Sequence, residues 1–254
     1  MQAAAGALGA GRSLKRLGIT TGSRGALDGM LAPMLHRVTR FLRRIETEQA
    51  DTSGGALEMW RGRADEMGEA IAQYSDPSAP VTLGAFAWGG VWYHPFAGVF
   101  ASAECRAALR RATASGGHAV VLGSSIGFEA YFAALTFGLK TVGVEVLPGL
   151  VRLSEALRKA HGVPTSLTEF KCDNALTYGL PRKTALVYVD DTAWDVPTIE
   201  QLAKRLGEQL PSGVIVIHNT EHGYGDSATF RKLATVSVAT SWNPAHTIHV
   251  HVTQ

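Results

Sequence analysis

Cysteine is scarce: Cys105 and Cys172 are the only two in 254 residues. They exclude a disulfide framework and a cysteine-rich zinc site, and such sparing use suits a reducing compartment. Long apolar runs are also missing. Spanning a bilayer takes about 20 apolar residues, and the longest candidate, 130–146, is broken by Gly138, Lys140 and Gly143. Neither sign of charge dominates. With 24 Lys and Arg against 22 Asp and Glu, the net charge of +2 does not by itself imply nucleic-acid binding. The charge is unevenly placed. From Met1 to Arg44 the sole acidic residue is Asp28, against Arg12, Lys15, Arg16, Arg24, Arg37, Arg40, Arg43 and Arg44. An acid-poor start rich in Ala, Gly, Arg and Ser reads either as an organelle transit segment or as a solvated tail leading into a basic helix. The expected location is intracellular: mitochondrion or chloroplast in the first case, cytoplasm or nucleus in the second.

What remains is ordinary globular composition, 46% hydrophobic and 18% charged. It suits one large α/β domain with an N-terminal extension, or two small domains. Residues 1–25 carry little periodicity. Residues 26–80 read as a helical region, with Leu31, Leu35, Val38, Leu42 and Ile45 at steps of three and four. Prolines in 76–80 end it. Residues 81–254 form the main domain. Its first stretch, 81–102, is aromatic, glycine-rich and nearly uncharged, and reads as a buried loop or lid containing Trp88, Trp92, Tyr93, His94 and Phe96.

From His118 onward strands and helices alternate. Strands are expected at 119–122, 141–144, 167–170, 184–189 and 214–217. Helices are expected at 104–113, 128–137, 150–161 and 196–210. Unbroken apolar strands suit a parallel sheet covered on both faces. Two final strands, 233–240 and 247–252, are joined by a short Asn-Pro turn, so the sheet should close with an antiparallel hairpin. This predicts a doubly wound, Rossmann-like α/β sheet, mostly parallel, with an antiparallel C-terminal hairpin and an N-terminal helical extension.

Residues 120–127 read VVLGSSIG. The first strand would end at Leu122, in a turn bounded by Gly123 and Gly127 that allows a ligand to approach the backbone. Glu145 ends the next strand, where a carboxylate can accept from both hydroxyls of a ribose. A nicotinamide dinucleotide would want glycine at position 125, and the chain has Ser125. S-adenosylmethionine carries no phosphate and tolerates a looser turn. Asp173 and Asn174 follow the third strand, where they can bond an adenine amino group or simply form a polar turn. Asp190, Asp191 and Trp194 follow the fourth, where such sheets place chemistry. One aspartate could instead cap the helix near Val196. His249 and His251 share a strand face, but no convincing third ligand accompanies them and no metal is assigned.

The order VVLGSSIG, GVE, KCDN, YVDDTAW, GVIVIHN and a closing SW before HVHV resembles the Dot-one-type histone lysine methyltransferases. The resemblance covers about 92–254. It implies a seven-strand methyltransferase fold and S-adenosylmethionine as methyl donor. It implies that Gly123, Ser124, Ser125 and Gly127 line the donor's methionine part, that Glu145 holds the ribose and that Asp173, with Asn174, holds the adenine. Asp190, Asp191 and Trp194 become the catalytic set, and Trp194 and Trp242 the walls of an acceptor channel. The chain also departs from the family. Val121 stands where the family has an acid, Ser125 replaces a glycine, Asp190-Asp191 replaces an asparagine pair, and His246, His249 and His251 replace tyrosines.

The expected acceptor is a protein lysine or a small molecule. Nucleosome binding in the family uses basic segments outside the fold, for which the N-terminal region is the one candidate here. Two other readings are a non-catalytic binding module on the same fold and a nicotinamide oxidoreductase.

Overall fold

A computed structural model describes residues 96, 98–160, 162–225, 228–240 and 243–254. The segments 1–25 and 26–80, most of the expected lid, and Trp242 lie outside the described residues. A 3-10 turn, Gly98–Phe100, leads into α1 (Ala103–Ala114), β1 (His118–Leu122), α2 (Phe128–Phe137), β2 (Lys140–Glu145) and α3 (Pro148–Ala160). Then come β3 (Thr168–Cys172), β4 (Thr184–Val189), α4 (Val196–Gln209), β5 (Ile215–His218), β6 (Phe230–Val238) and β7 (His246–Thr253).

The strands form one seven-stranded sheet in the order β3-β2-β1-β4-β5-β7-β6. β1 to β5 pair in parallel, and β7 runs antiparallel to both β5 and β6. The hairpin is present, but its second strand is the one inserted into the sheet. β7 is buried along nearly its whole length, whereas β6 alternates and forms the edge. A strand with two neighbours loses solvent on both sides, and the apolar and histidine side chains of β7 suit that place. β6 begins and ends earlier than its sequence suggests. Its register runs from Phe230 opposite Thr253 to Val238 opposite His246, which leaves Thr240 to the turn. There Thr240 N–H donates to the Asn243 carbonyl at 2.9 Å.

Alternate residues of each strand face two separate cores. Val121, Tyr188, Ile217 and Val250 face α1, α2 and α3. Val120, Leu122, Val187, Val189 and Val216 face α4 through Ile199, Leu202 and Leu206. All ten residues of α2 are buried, the mark of a helix enclosed on every side. Phe96 belongs to the first core. Its ring meets Phe132 at 5.1 Å and Tyr188 at 5.4 Å edge-on, so this member of the expected lid is a packing residue.

Among the described residues no helix is long and apolar enough to cross a membrane.

Candidate active site

Strand order reverses between β1 and β4, because β2 and β3 lie to one side of β1 and β4 and β5 to the other. Loops leaving the C-terminal ends of these two strands diverge and open a crevice. Every described candidate residue from the sequence sits at this end of the sheet.

The turn after β1 is fastened from below. The N–H groups of Gly123 and Ser124 both donate to the Val144 carbonyl, each at 2.9 Å. Ser125 N–H donates to Glu145 Oε2 at 2.9 Å, and Leu147 N–H to Oε1 at 3.0 Å. Glu145 therefore does structural work: its carboxylate joins the glycine turn to the start of α3. Ser154 Oγ donates to the Ser125 carbonyl at 3.1 Å and ties the turn to α3 as well.

The two glycines answer to different neighbours. A Cβ on Gly123 would stand 3.1 Å from the Trp194 ring and 3.2 Å from the Asp190 carbonyl oxygen. A Cβ on Gly127 would strike the Phe170 ring at 2.4 Å. Ser125, which occupies the place of a middle glycine, keeps a left-handed backbone at φ 48°. Ser124 and Ser125 hydroxyl oxygens are buried and find no hydrogen-bond partner among the described residues.

Asp173 is exposed at the end of β3, beside Glu145, whose carbonyl accepts its N–H at 3.1 Å. Asn174 is committed to its own turn, because its Oδ1 accepts from Leu176 N–H at 2.8 Å. Asp190 and Asp191 point to different places. Asp191 is wholly buried. Its Oδ1 accepts from Asn219 N–H at 2.8 Å and its Oδ2 from the Thr220 hydroxyl at 3.0 Å. Burial pushes its carboxyl up to about 6. Asp190 remains partly open at the crevice, held by Asn219 Nδ2 at 3.2 Å and the Thr192 hydroxyl at 3.4 Å. Burial, then repulsion from Glu129, Asp191 and Glu145, hold its carboxyl well above the usual range. Neither aspartate caps α4; Asp195 does, accepting from Thr198 N–H at 2.9 Å.

Three residues join the site without having been singled out. Asn219, next after β5, gives Nδ2 to Asp190 and to the Val189 carbonyl at 3.2 Å. Its Oδ1 accepts from His246 Nε2 at 3.1 Å, which places the proton of that ring on Nε2. Tyr188, buried on β4, lies 3.3–3.4 Å from both ends of the Asn219 amide. Glu129, in the first turn of α2, is 6% exposed, and burial raises its carboxyl to about 7. The signal for Glu129 was present: it is the one charged residue of FEAYFAALTF. Asn219 was legible only as the polar residue closing GVIVIHN.

The histidines form a separate cluster on the other face of the sheet. His218 Nδ1 is 2.5 Å from the Thr220 carbonyl, so it carries the proton. His218 Nε2 then accepts, and His251 Nδ1 donates to it at 2.8 Å. Tyr224 stacks on His218 with ring centroids 3.9 Å apart. Among the described residues no group of three or more His, Cys, Asp or Glu is arranged to hold a metal ion.

No protein-family model matches the sequence, and no curated protein does. Solved structures match at the level of the sheet. An RNA methyltransferase from Salinibacter ruber in complex with S-adenosyl-L-homocysteine is 20% identical, with 58% of this chain and 90% of that chain covered and a TM-score of 0.43. The N-methyltransferase NodS from Bradyrhizobium japonicum WM9 is 11% identical, with coverages of 59% and 94% and a TM-score of 0.41. Aeropyrum pernix fibrillarin with natively bound S-adenosyl-L-methionine is 14% identical, with coverages of 54% and 66% and a TM-score of 0.40.

Proposed function

We propose that this chain is an S-adenosylmethionine-dependent methyltransferase acting on an amine, either a protein lysine, as in the Dot-one-like group, or a small molecule. The observation that carries the reading is Glu145. It ends β2 beside the switch point of the sheet, and the same carboxylate organises the glycine turn from β1. A ribose diol bound there would lie beside the Ser124 and Ser125 hydroxyls, which are unpartnered among the described residues. The residues fit the donor: Glu145 for the ribose, exposed Asp173 for the adenine, and the Gly123–Gly127 turn for the amino-acid tail. When bound, the donor supplies an electrophilic methyl group on a sulfonium.

The chain's own part is positioning and proton handling. An amine nucleophile must first lose its proton. Asp190 faces the crevice, and its raised affinity for a proton suits it to receive one from the ammonium. Asn219 holds Asp190 in place, and Asp191 holds Asn219 through its backbone. The Trp194 ring lies over Gly123 and walls the crevice against water. The nicotinamide alternative is disfavoured by Ser125, which stands where a pyrophosphate-binding turn wants its middle glycine.

Calorimetric titration with S-adenosylmethionine, S-adenosylhomocysteine and NADH tests the reading. Both adenosyl ligands should bind, NADH should not, and Glu145→Ala should weaken the adenosyl ligands at least about tenfold. An intact protein that binds neither adenosyl ligand would overturn the assignment. Mass spectrometry of an acceptor panel should then show methylation of amines in preference to carboxylates, with turnover lower in Asp190→Asn.

A further inference from the structure

β7 begins before it meets β5. His249 lies opposite His218, the last residue of β5, so His246 projects beyond that strand's end. It alternates with Ile248 and Val250 onto the face of the first core, away from the His218 cluster. There its ring meets Asn219, the residue that follows β5, with Nε2 3.1 Å from Oδ1.

That contact has one direction. Asn219 Nδ2 faces two acceptors, the Val189 carbonyl and Asp190 Oδ1, each at 3.2 Å. Turned the other way, the amide would set its oxygen against both. Oδ1 is therefore the end that meets His246, and the ring must donate to it from Nε2. The Tyr188 hydroxyl, 3.3–3.4 Å from the two ends of the amide, favours neither. Asn219 is buried, so an amide oxygen without a donor would be costly there.

The amide passes this constraint to Asp190. Glu129, Asp191 and Glu145 all oppose a charge on Asp190. Two donors favour it, Asn219 Nδ2 and the Thr192 hydroxyl. Both reach Oδ1, which leaves Oδ2 to take a proton. A donor on the far end of the amide also polarises it and strengthens its N–H groups.

We infer that His246 is a positioning residue for the reaction: through the Asn219 amide it holds Asp190 in the orientation that receives the acceptor's proton. This rests on the methyltransferase reading, in which Asp190 takes that proton, and adds to it a residue that acts through another.

NMR on the full chain tests it without a known acceptor. With aspartate carboxyls labelled in carbon-13, the Asp190 signal is identified by its loss in Asp190→Asn and followed against pH. His246→Phe fills the space of the ring and has no donor. Asn219 Oδ1 then turns to the Tyr188 hydroxyl, the bond to Asp190 loosens, and the Asp190 midpoint should rise by about half a pH unit or more. His246→Gln can place an amide N–H where Nε2 stood, and should restore the wild-type midpoint. Nitrogen-15 NMR of the wild type needs no variant. Burial lowers the proton affinity of His246, so at about pH 8 its ring should be neutral with the proton on Nε2. A proton on Nδ1, an unmoved Asp190 midpoint in His246→Phe, or the same shift in both variants would each overturn the inference. S-adenosylhomocysteine, which meets the glycine turn, should bind wild type and both variants within about twofold of one another. Weaker binding in the variants would place His246 in the donor pocket instead and overturn the inference. Failure of the wild type to bind would overturn the methyltransferase reading, while the NMR outcomes would still decide the coupling of His246 to Asp190.

Discussion

Ser125 shows how much one residue can carry. Its left-handed backbone is one that non-glycine residues hold at a cost of about 1–3 kcal/mol. The turn keeps it there with the bond to Glu145 and the Ser154 hydroxyl. Ser125→Gly should relieve the strain and lose part of the gain to chain entropy. The net should be a stabilisation of about 1 kcal/mol, read by urea unfolding. A loss would mean that the buried hydroxyl matters more than the backbone. That the turn needed Gly123 and Gly127 was legible in the sequence. Why it needed them was not, because Phe170 arrives from β3 and Trp194 from the loop after β4. Contacts between residues so far apart leave no local pattern. Glu129 is the one charged residue of FEAYFAALTF, but a single acid in an apolar helix has no periodic signature that marks it as part of a site.

Elements were more legible than residues. Each expected helix and strand after Glu104 is present, because unbroken apolar strands and glycine stops are local signals. What the chain order could not reveal is that β7 enters between β5 and β6. The same limit applies to Asp190-Asp191. Adjacent aspartates look equivalent in sequence, but a strand end turns successive side chains to opposite sides. Asp190 meets the crevice, and Asp191 clamps the loop after β5. Asp191→Ala would leave the Asn219 N–H and Thr220 hydroxyl without their acceptor. The expected loss is about 2 kcal/mol, moderated because a buried carboxylate is itself costly. Hydrogen exchange should locate the effect, with the Asn219 and Thr220 amides opening faster while β1 and β2 stay protected. Unchanged exchange at Asn219 would show that the clamp is not what orders this loop.

For the whole molecule, two buried groups of opposite character set the response to pH. Burial lowers His218 to about 2 and His251 to about 4, with repulsion from neighbouring histidines and Lys232 adding to it, and it lowers His249 too. The unfolded chain protonates these histidines below about 6.5 and the folded chain does not. Their contribution is therefore complete above that pH and is lost as pH falls, by up to about 1.4 kcal/mol per unit for each histidine. The carboxyls run the other way. Glu129 at about 7, Asp191 at about 6 and Asp190 well above its usual range keep protons that the unfolded chain releases near 4. Their penalty grows as pH rises through that window. Between about pH 4.5 and 6.5 the opposing slopes cancel. Stability should form a plateau there and fall on both sides, a maximum more acidic than is usual. Thermal unfolding followed from pH 4 to 9 would show it. Glu129→Gln resembles the protonated acid, so it should match wild type near pH 4.5 and exceed it at pH 8 by at most about 3 kcal/mol. If the variant's advantage were the same at both pH values, Glu129 would not be titrating in the folded protein, and the alkaline decline would have to come from Asp190 and Asp191.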